Sequence, residues 1–318
     1  MSTSGNPTLW AIFAALVVTM LAADLGVFRR AARDEAMSLR EATLRSVGWI
    51  LIAGLFNGFV YTAIGTQQGL EFTAGYLLEE ALSVDNLFVF VVIFDTFRVA
   101  PSLQHRVLFW GIIGAVILRG IFIGVGTALV QRFFWIMFVF GGILVYTAWK
   151  LFRGGGEEAD ELSENPAYRA FQRIVPSVPE FHGRHFLVKS DGKLRATPLL
   201  AVLVLVETSD VLFALDSIPA VFGVTKDPFI VYTSNIFAIL GLRSLFFLLS
   251  GIVHRFVYLK TGLAVILAFV GGKMIVHPWF HVSIVLSLAF IAATLAITVL
   301  ASILWPPKPP AEGDSTAG

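Results

Sequence analysis

Six acidic side chains stand inside otherwise apolar stretches of this sequence: Glu79, Glu80 and Asp85 in one, Glu207, Asp210 and Asp216 in another. A charged side chain at the centre of a bilayer helix costs roughly 2.5–3.5 kcal/mol, so three deeply placed acids demand compensation on the order of 8–10 kcal/mol. Only Arg119, Arg243 and Lys273 share such surroundings, which leaves three more acids than bases. Protons or a bound cation would balance that excess. Oxygen donors in this number suit hard ions such as Mn2+, Mg2+ or Ca2+. The absence of cysteine removes thiolate metal sites, disulfides and Cys-based redox or nucleophilic chemistry. The candidate ligands are therefore Glu79, Asp85, Glu207, Asp210 and Asp216. Neutral oxygens can come from Ser83, Asn86, Thr208, Ser209, Ser217 and Asn235. Arg119 and Arg243 read as counter-ions, because a guanidinium has no lone pair for a metal. The plainer alternative is that the acids are salt-bridge partners of these two arginines and serve no substrate.

Spacing says what must hold these groups together. Acids six residues apart sit about 120° round a regular helix and roughly 9 Å along it, so one helix cannot close Glu79-x5-Asp85 or Asp210-x5-Asp216 on one ion. Two antiparallel helices can. Pro219 lacks an N–H and crowds the preceding turn, which predicts a break near Asp216 and freed carbonyls. His277 and His281 are spaced i,i+4 but flank Pro278, which favours an outer loop over a metal pair. The other histidines, His105, His182, His185 and His254 among them, fall in loops or at span edges and are expected to be solvated. Gly120, Gly124 and Gly126 read as sites of close helix packing.

The surrounding chain is a membrane protein by composition. Of 318 residues 57% are hydrophobic and 14% charged, and the mean hydropathy is +0.80, which excludes a water-soluble enzyme. A formal charge of +1 gives no reason to expect a nucleic-acid partner. Nine apolar runs are long enough to span a bilayer: 9–28, 47–66, 74–96, 107–130, 133–152, 198–222, 229–253, 259–277 and 282–305. Eighteen of the 23 basic residues fall on one side of this arrangement, and only Arg132 and Lys226 on the other. The basic side is retained in the cytoplasm, so the amino terminus is expected outside and the carboxyl terminus inside. The first run has no basic residue before it and five arginines after it, the reverse of a secretory signal, and reads as a retained span. Residues 153–197 form a cytoplasmic loop with an Asp191-Gly192 turn signal between two short runs that can pair as a hairpin. The tail, 306–318, has too few apolar residues to fold and is expected to be disordered.

Three polar landmarks recur in order. Glu79-x5-Asp85 matches Asp210-x5-Asp216, Arg119 matches Arg243, and Phe140-Gly141-Gly142 matches Val270-Gly271-Gly272. With three spans per unit the second copy enters from the opposite side, so the sequence predicts an all-α polytopic fold of about nine transmembrane helices with a 3+3 inverted-topology repeat. The units are 74–152 and 198–278, flanked by a two-helix segment, 1–73, and a last helix, 279–305. No phosphate loop, nucleophile elbow or His-Glu-x-x-His pair is present, so the sequence shows no engine for hydrolysis or ATP-driven pumping, and an enzyme is not expected.

Four strings then fix a resemblance: EEALSVDNLFVF (79–90), QHRVLFWG (104–111), DVLFALDSIPA (210–220) and TSNIFAILGLR (233–243). Together they closely resemble the TerC family, in particular its Alx-like bacterial branch, over about residues 23–279. The resemblance implies a protein of the bacterial inner membrane in the LysE-like transporter group, associated with tellurium-resistance operons and Mn2+ export. It carries the family's intramembrane site onto Glu79, Asp85, Asn86, Asp210 and Asp216, with Glu207 one turn before Asp210. Nothing in these oxygen donors suits tellurite, an anion. The expected function is secondary export of a divalent cation, most simply Mn2+, with membrane lipid as surroundings and no organic cofactor. The alternative is a membrane interaction protein that supports a secretion, envelope-stress or tellurium-resistance complex without moving ions, as a homo-oligomer or with an envelope partner.

Overall fold

The computed structural model describes residues 6–30, 39–153, 173, 175–190, 192–249 and 258–305, with the backbone alone for 23–30 and Asp85. The acidic linker after Arg153, Asp191 and the tail 306–318 lie outside the described residues. Nine helices and one hairpin make up the described chain: α1 (Pro7–Arg30), α2 (Leu39–Ala63), α3 (Thr66–Thr96), α4 (Pro101–Arg132), α5 (Ile136–Phe152), β1 (Leu187–Ser190), β2 (Lys193–Ala196), α6 (Pro198–Phe222), α7 (Pro228–Leu249), α8 (Leu259–Val276) and α9 (Ile284–Leu304). Each apolar run of the sequence overlaps one helix of the described residues. Pro101, Pro198 and Pro228 open α4, α6 and α7, where a missing N–H costs nothing and φ is already helical.

Among the described residues six helices, α2, α4, α6, α7, α8 and α9, are long and apolar enough to cross a membrane. The acid-rich α3 is not among them, although its 31 residues reach about 45 Å. It begins eight residues before the apolar run, so Gln67 and Glu71 belong to the helix. Large apolar side chains face outward, among them Leu51 and Leu55 on α2, Ile117 and Ile121 on α4, and Ile297 and Leu300 on α9. Hydrocarbon rather than water suits such faces.

Polar side chains gather inside instead. The most enclosed helix is α7, which packs against α2, α3 and α4, while α4 and α3 also pack on α6. An aromatic cluster fills the space toward α1 and α2, with Phe56 and Phe237 ring centroids 4.7 Å apart and Phe13, Phe72 and Phe229 around them. The most extensive pairing joins α5 to α8. There a Cβ on Gly141 would lie 2.9 Å from the Gly271 carbonyl oxygen, and a Cβ on Gly271 would lie 2.8 Å from that of Gly141. Only glycine at both positions lets the backbones touch. Gly120 and Gly126 likewise meet Tyr232 and Phe222, but Gly124 faces open space and packs on nothing.

Two other expectations are corrected. Pro219 does not break α6 near Asp216, because it lies in the last turn of a helix that continues to Phe222. The acceptor it leaves without a partner belongs to Leu215, four residues earlier, so little of the helix depends on that bond. His105 is not solvated: it is buried in α4 and stacks on Phe247 at 3.9 Å between centroids. The hairpin forms as expected, with Leu187 opposite Ala196, Ser190 opposite Lys193, and Gly192 at φ 72° in the turn.

Candidate metal site

Glu79, Ser83 and Asn86 occur at i, i+4 and i+7 on α3, the spacing of a single helix face. All three are buried, at 0%, 1% and 2% exposure. Glu79 Oε2, Ser83 Oγ and Asn86 Oδ1 make no hydrogen bond among the described residues. Buried oxygens in native proteins nearly always have a partner, so a row of three without one among the described residues makes this face a candidate ligand site. The stripe continues past Asp85, whose side chain lies outside the described residues.

Opposite this stripe Arg119 of α4 is enclosed at 1% exposure. Its Nη1 donates to Glu79 Oε1, to Ser217 Oγ at 3.0 Å and to Asn235 Oδ1 at 3.3 Å. Its Nη2 donates to Asp210 Oδ1 at 2.9 Å and its Nε to Asp210 Oδ2 at 3.3 Å, a two-pronged grip on one carboxylate. One guanidinium therefore ties α3, α4, α6 and α7 together. Asp210 and Ser217 are seven residues apart and share a face of α6, which explains why both reach it. Two carboxylates against one guanidinium leave the cluster with a net charge of −1 if both are ionised. Breaking a buried pair of this sort costs about 3–5 kcal/mol, since the orphaned charge stays in low dielectric.

The remaining candidates take separate places. Glu207 fills a niche opened by Gly114 of α4, where a Cβ would collide with the carboxylate, and Glu207 Oε2 also makes no hydrogen bond among the described residues. Asp216 turns toward α5, where Thr147 Oγ1 donates to its Oδ1 at 2.9 Å and the Lys150 charge lies near it. Asp216 thus stands apart from Glu79 and Asp210. Glu80 leaves the stripe for Tyr76, which hydrogen-bonds to it, and for Gly241 of α7. Arg243 is buried at 2% exposure and lines, with Asp210, Phe90 and Gly111, a cavity of about 10 Å³. Among the described residues no three His, Asp or Glu side chains form a group that could hold a metal ion. Any cation held here would rely on Glu79 and Asp210 as acids and on amide and hydroxyl oxygens for its other contacts.

Sequence reasoning foresaw both acids and the neutral oxygens Ser217 and Asn235. It missed that Arg119 holds Glu79 and Asp210 at once, and it missed the Gly114 niche and the Thr147 partner. A glycine five residues before an intramembrane arginine was the one available hint of the niche.

Residues 64–308 match the family described as integral membrane protein TerC. The chain is 50% identical over 300 residues to the Myxococcus xanthus membrane protein STKORF319, covering 94% of this chain and 93% of that one. It is 45% identical over 308 residues to Alx of Salmonella typhi, a candidate membrane-bound redox modulator, covering 94% and 95%. To the protein of the same description from Escherichia coli K12 it is 43% identical over 308 residues, again covering 94% and 95%. No solved structure matches.

Proposed function

This chain belongs to the TerC family of integral membrane proteins, and from that premise we propose that it is a secondary exporter of a divalent cation, most simply Mn2+. The observation that carries the reading is the Glu79 carboxylate: one oxygen is held by Arg119, while the other, like Ser83 Oγ and Asn86 Oδ1 further along the same helix face, is buried with no hydrogen bond among the described residues. Arg119 is the cluster's resident positive charge, and the substrate ion competes with it for Glu79 and Asp210. A divalent ion added to a cluster of charge −1 makes it +1. Ionisation of one neighbouring acid, Glu207 or Asp85, restores neutrality, and the proton released is the route to coupling.

The nine helices are read as nine spans, with α3–α5 and α6–α8 as inverted repeats. The reciprocal Gly141–Gly271 contact supports this, because matched residues meet one another at a two-fold axis. So does the sharing of one arginine by the matched acids Glu79 and Asp210. The protein sits in a bacterial inner membrane with its amino terminus outside and its carboxyl terminus in the cytoplasm. Its relatives' description as candidate redox modulators fits this reading only indirectly: without cysteine, the chain can alter redox balance through metal content and not through thiol exchange.

Proteoliposomes preloaded with Mn2+ test the proposal. Wild-type protein should release the ion, and Glu79→Gln and Asp85→Asn should not. Release at the wild-type rate from both variants, correctly inserted, would falsify the site.

A further inference from the structure

The end of the helix stack where α3 begins and α6 and α8 finish opens into a cavity of about 310 Å³. Glu71 at its edge lies two turns before Glu79, roughly 12 Å along α3, so the cavity is separate from the Arg119 cluster. Its charged lining is Glu71, Lys226 in the α6–α7 loop, Lys273 on α8, and His277 and His281 beyond α8.

The one acid is already engaged on both oxygens. Glu71 Oε1 accepts from Gln67 Nε2 at 2.8 Å, and Oε2 accepts from Thr225 Oγ1. Asp227, which follows Lys226 in the chain and lies near the Glu71 charge, caps α7 by accepting the Phe229 N–H at 2.9 Å. The cationic groups are less committed. Lys273 Nζ donates to Ser287 Oγ at 2.9 Å, one bond for an ammonium with three donors. Lys226 Nζ lies 5.8 Å from the Phe134 ring centroid, a cation–π contact that leaves its N–H donors available. The imidazoles of His277 and His281 approach to 4.9 Å between centroids. The affinity of His277 for a proton is held below the ordinary value, first by burial and then by the charges of Lys226, His281 and Lys273. With both imidazoles neutral, two ammonium groups face one lining carboxylate, Glu71, whose charge lies near Lys273.

We propose that this cavity binds an oxyanion, a phosphate or carboxylate group held between Lys226 and Lys273 with His277 and His281 as further donors. A cation fits poorly: two ammonium groups repel it, each Glu71 oxygen already accepts a hydrogen bond, and among the described residues no third imidazole or carboxylate joins the histidine pair. Acidification strengthens binding, because protonated imidazoles become donors on both nitrogens and add charge.

The probe is inorganic phosphate, titrated calorimetrically into the full chain in nanodiscs of neutral phosphatidylcholine. Saturable binding should tighten as pH falls from about 6.5 to about 5, where imidazoles take up protons while phosphate stays mostly the monoanion. Lys226→Ala, a loop substitution, and Lys273→Met, which retains the aliphatic stem, should each weaken it tenfold or more. Phosphatidylglycerol nanodiscs distinguish the source. If they remove phosphate binding from the wild type, and Lys226→Ala loses its retained anionic lipid, the oxyanion is a lipid headgroup; undiminished phosphate binding makes it a free anion. The proposal is overturned if neither phosphate nor anionic lipid binds at about pH 6. It is equally overturned if both lysine variants bind as the wild type does, or if Zn2+ binds in place of phosphate and is lost in His277→Ala. Glu79→Gln should leave phosphate binding intact, so failure of the transport reading does not decide this one.

Discussion

Replacing Arg119 by methionine keeps a long apolar stem and removes the charge that holds Glu79 and Asp210. Both carboxylates are then left in surroundings where they are at most 5% exposed. Loss of one member of a buried charge cluster costs about 3–5 kcal/mol. At roughly 2–4 °C per kcal/mol for a chain of a few hundred residues, the melting midpoint of Arg119→Met should fall by on the order of 10 °C. A cation that takes the guanidinium's place reverses part of the loss: at about 100 times its dissociation constant it returns roughly 2.7 kcal/mol. Mn2+ should therefore stabilise Arg119→Met more than the wild type, in which the arginine competes. Removing the whole cluster in R119M/E79Q/D210N leaves no orphaned charge and should recover most of the midpoint while abolishing the response to Mn2+. The assay is thermal unfolding of the purified protein in nanodiscs over a Mn2+ titration, with Mg2+ in parallel. The reasoning fails if Arg119→Met melts like the wild type, or if Mn2+ raises both midpoints equally, since then guanidinium and ion do not share the carboxylates.

Two further outcomes are expected. Gly141→Val should destabilise by about 1–3 kcal/mol or more, because its Cβ would sit 2.9 Å from a backbone oxygen that cannot rotate away; Gly124→Ala, facing open space, should be neutral or stabilising by up to about 1 kcal/mol. The two melting midpoints check this directly, and equal values would contradict the packing described for α5 and α8. In phosphate-free buffer with neutral lipid, His277 should make stability depend on pH. Its folded-state pKa is below the ordinary value of 6.5, so its contribution is fully present above that value and is lost as pH falls through the folded-state pKa. His277→Gln should flatten the midpoint-against-pH curve in that window, and an unchanged curve would locate the acid sensitivity elsewhere.

The positions of the helices were legible because a bilayer imposes one dominant length on apolar runs, and α6 matches its run, 198–222, from end to end. The start of α3 was not, since Gln67 and Glu71 are polar and lie outside the hydropathy signal although their backbone is helical. Pro219 was misread because the chemistry of proline says what it disrupts without saying how near a helix is to its end. At the site, Glu79 and Asp210 were found by charge alone. That one arginine joins them was beyond the sequence, because Arg119 is 40 residues from one and 91 from the other. The divergence of Asp216 was in principle readable: six residues from Asp210 is far round the helix, while Ser217, at seven, returns to the same face.

The Gly141–Gly271 contact also sets how the bundle can move. Main chain against main chain leaves no side-chain slack, so α5 and α8 cannot close further, and any change in their crossing angle would pivot on that point. A swivel of about 10° displaces a helix end half a bilayer away, roughly 15 Å, by about 2.6 Å. One mouth of the lever then widens by about the diameter of a water molecule as the other narrows. Spin labels at opposite ends of the two helices would read that seesaw as distances changing in opposite senses.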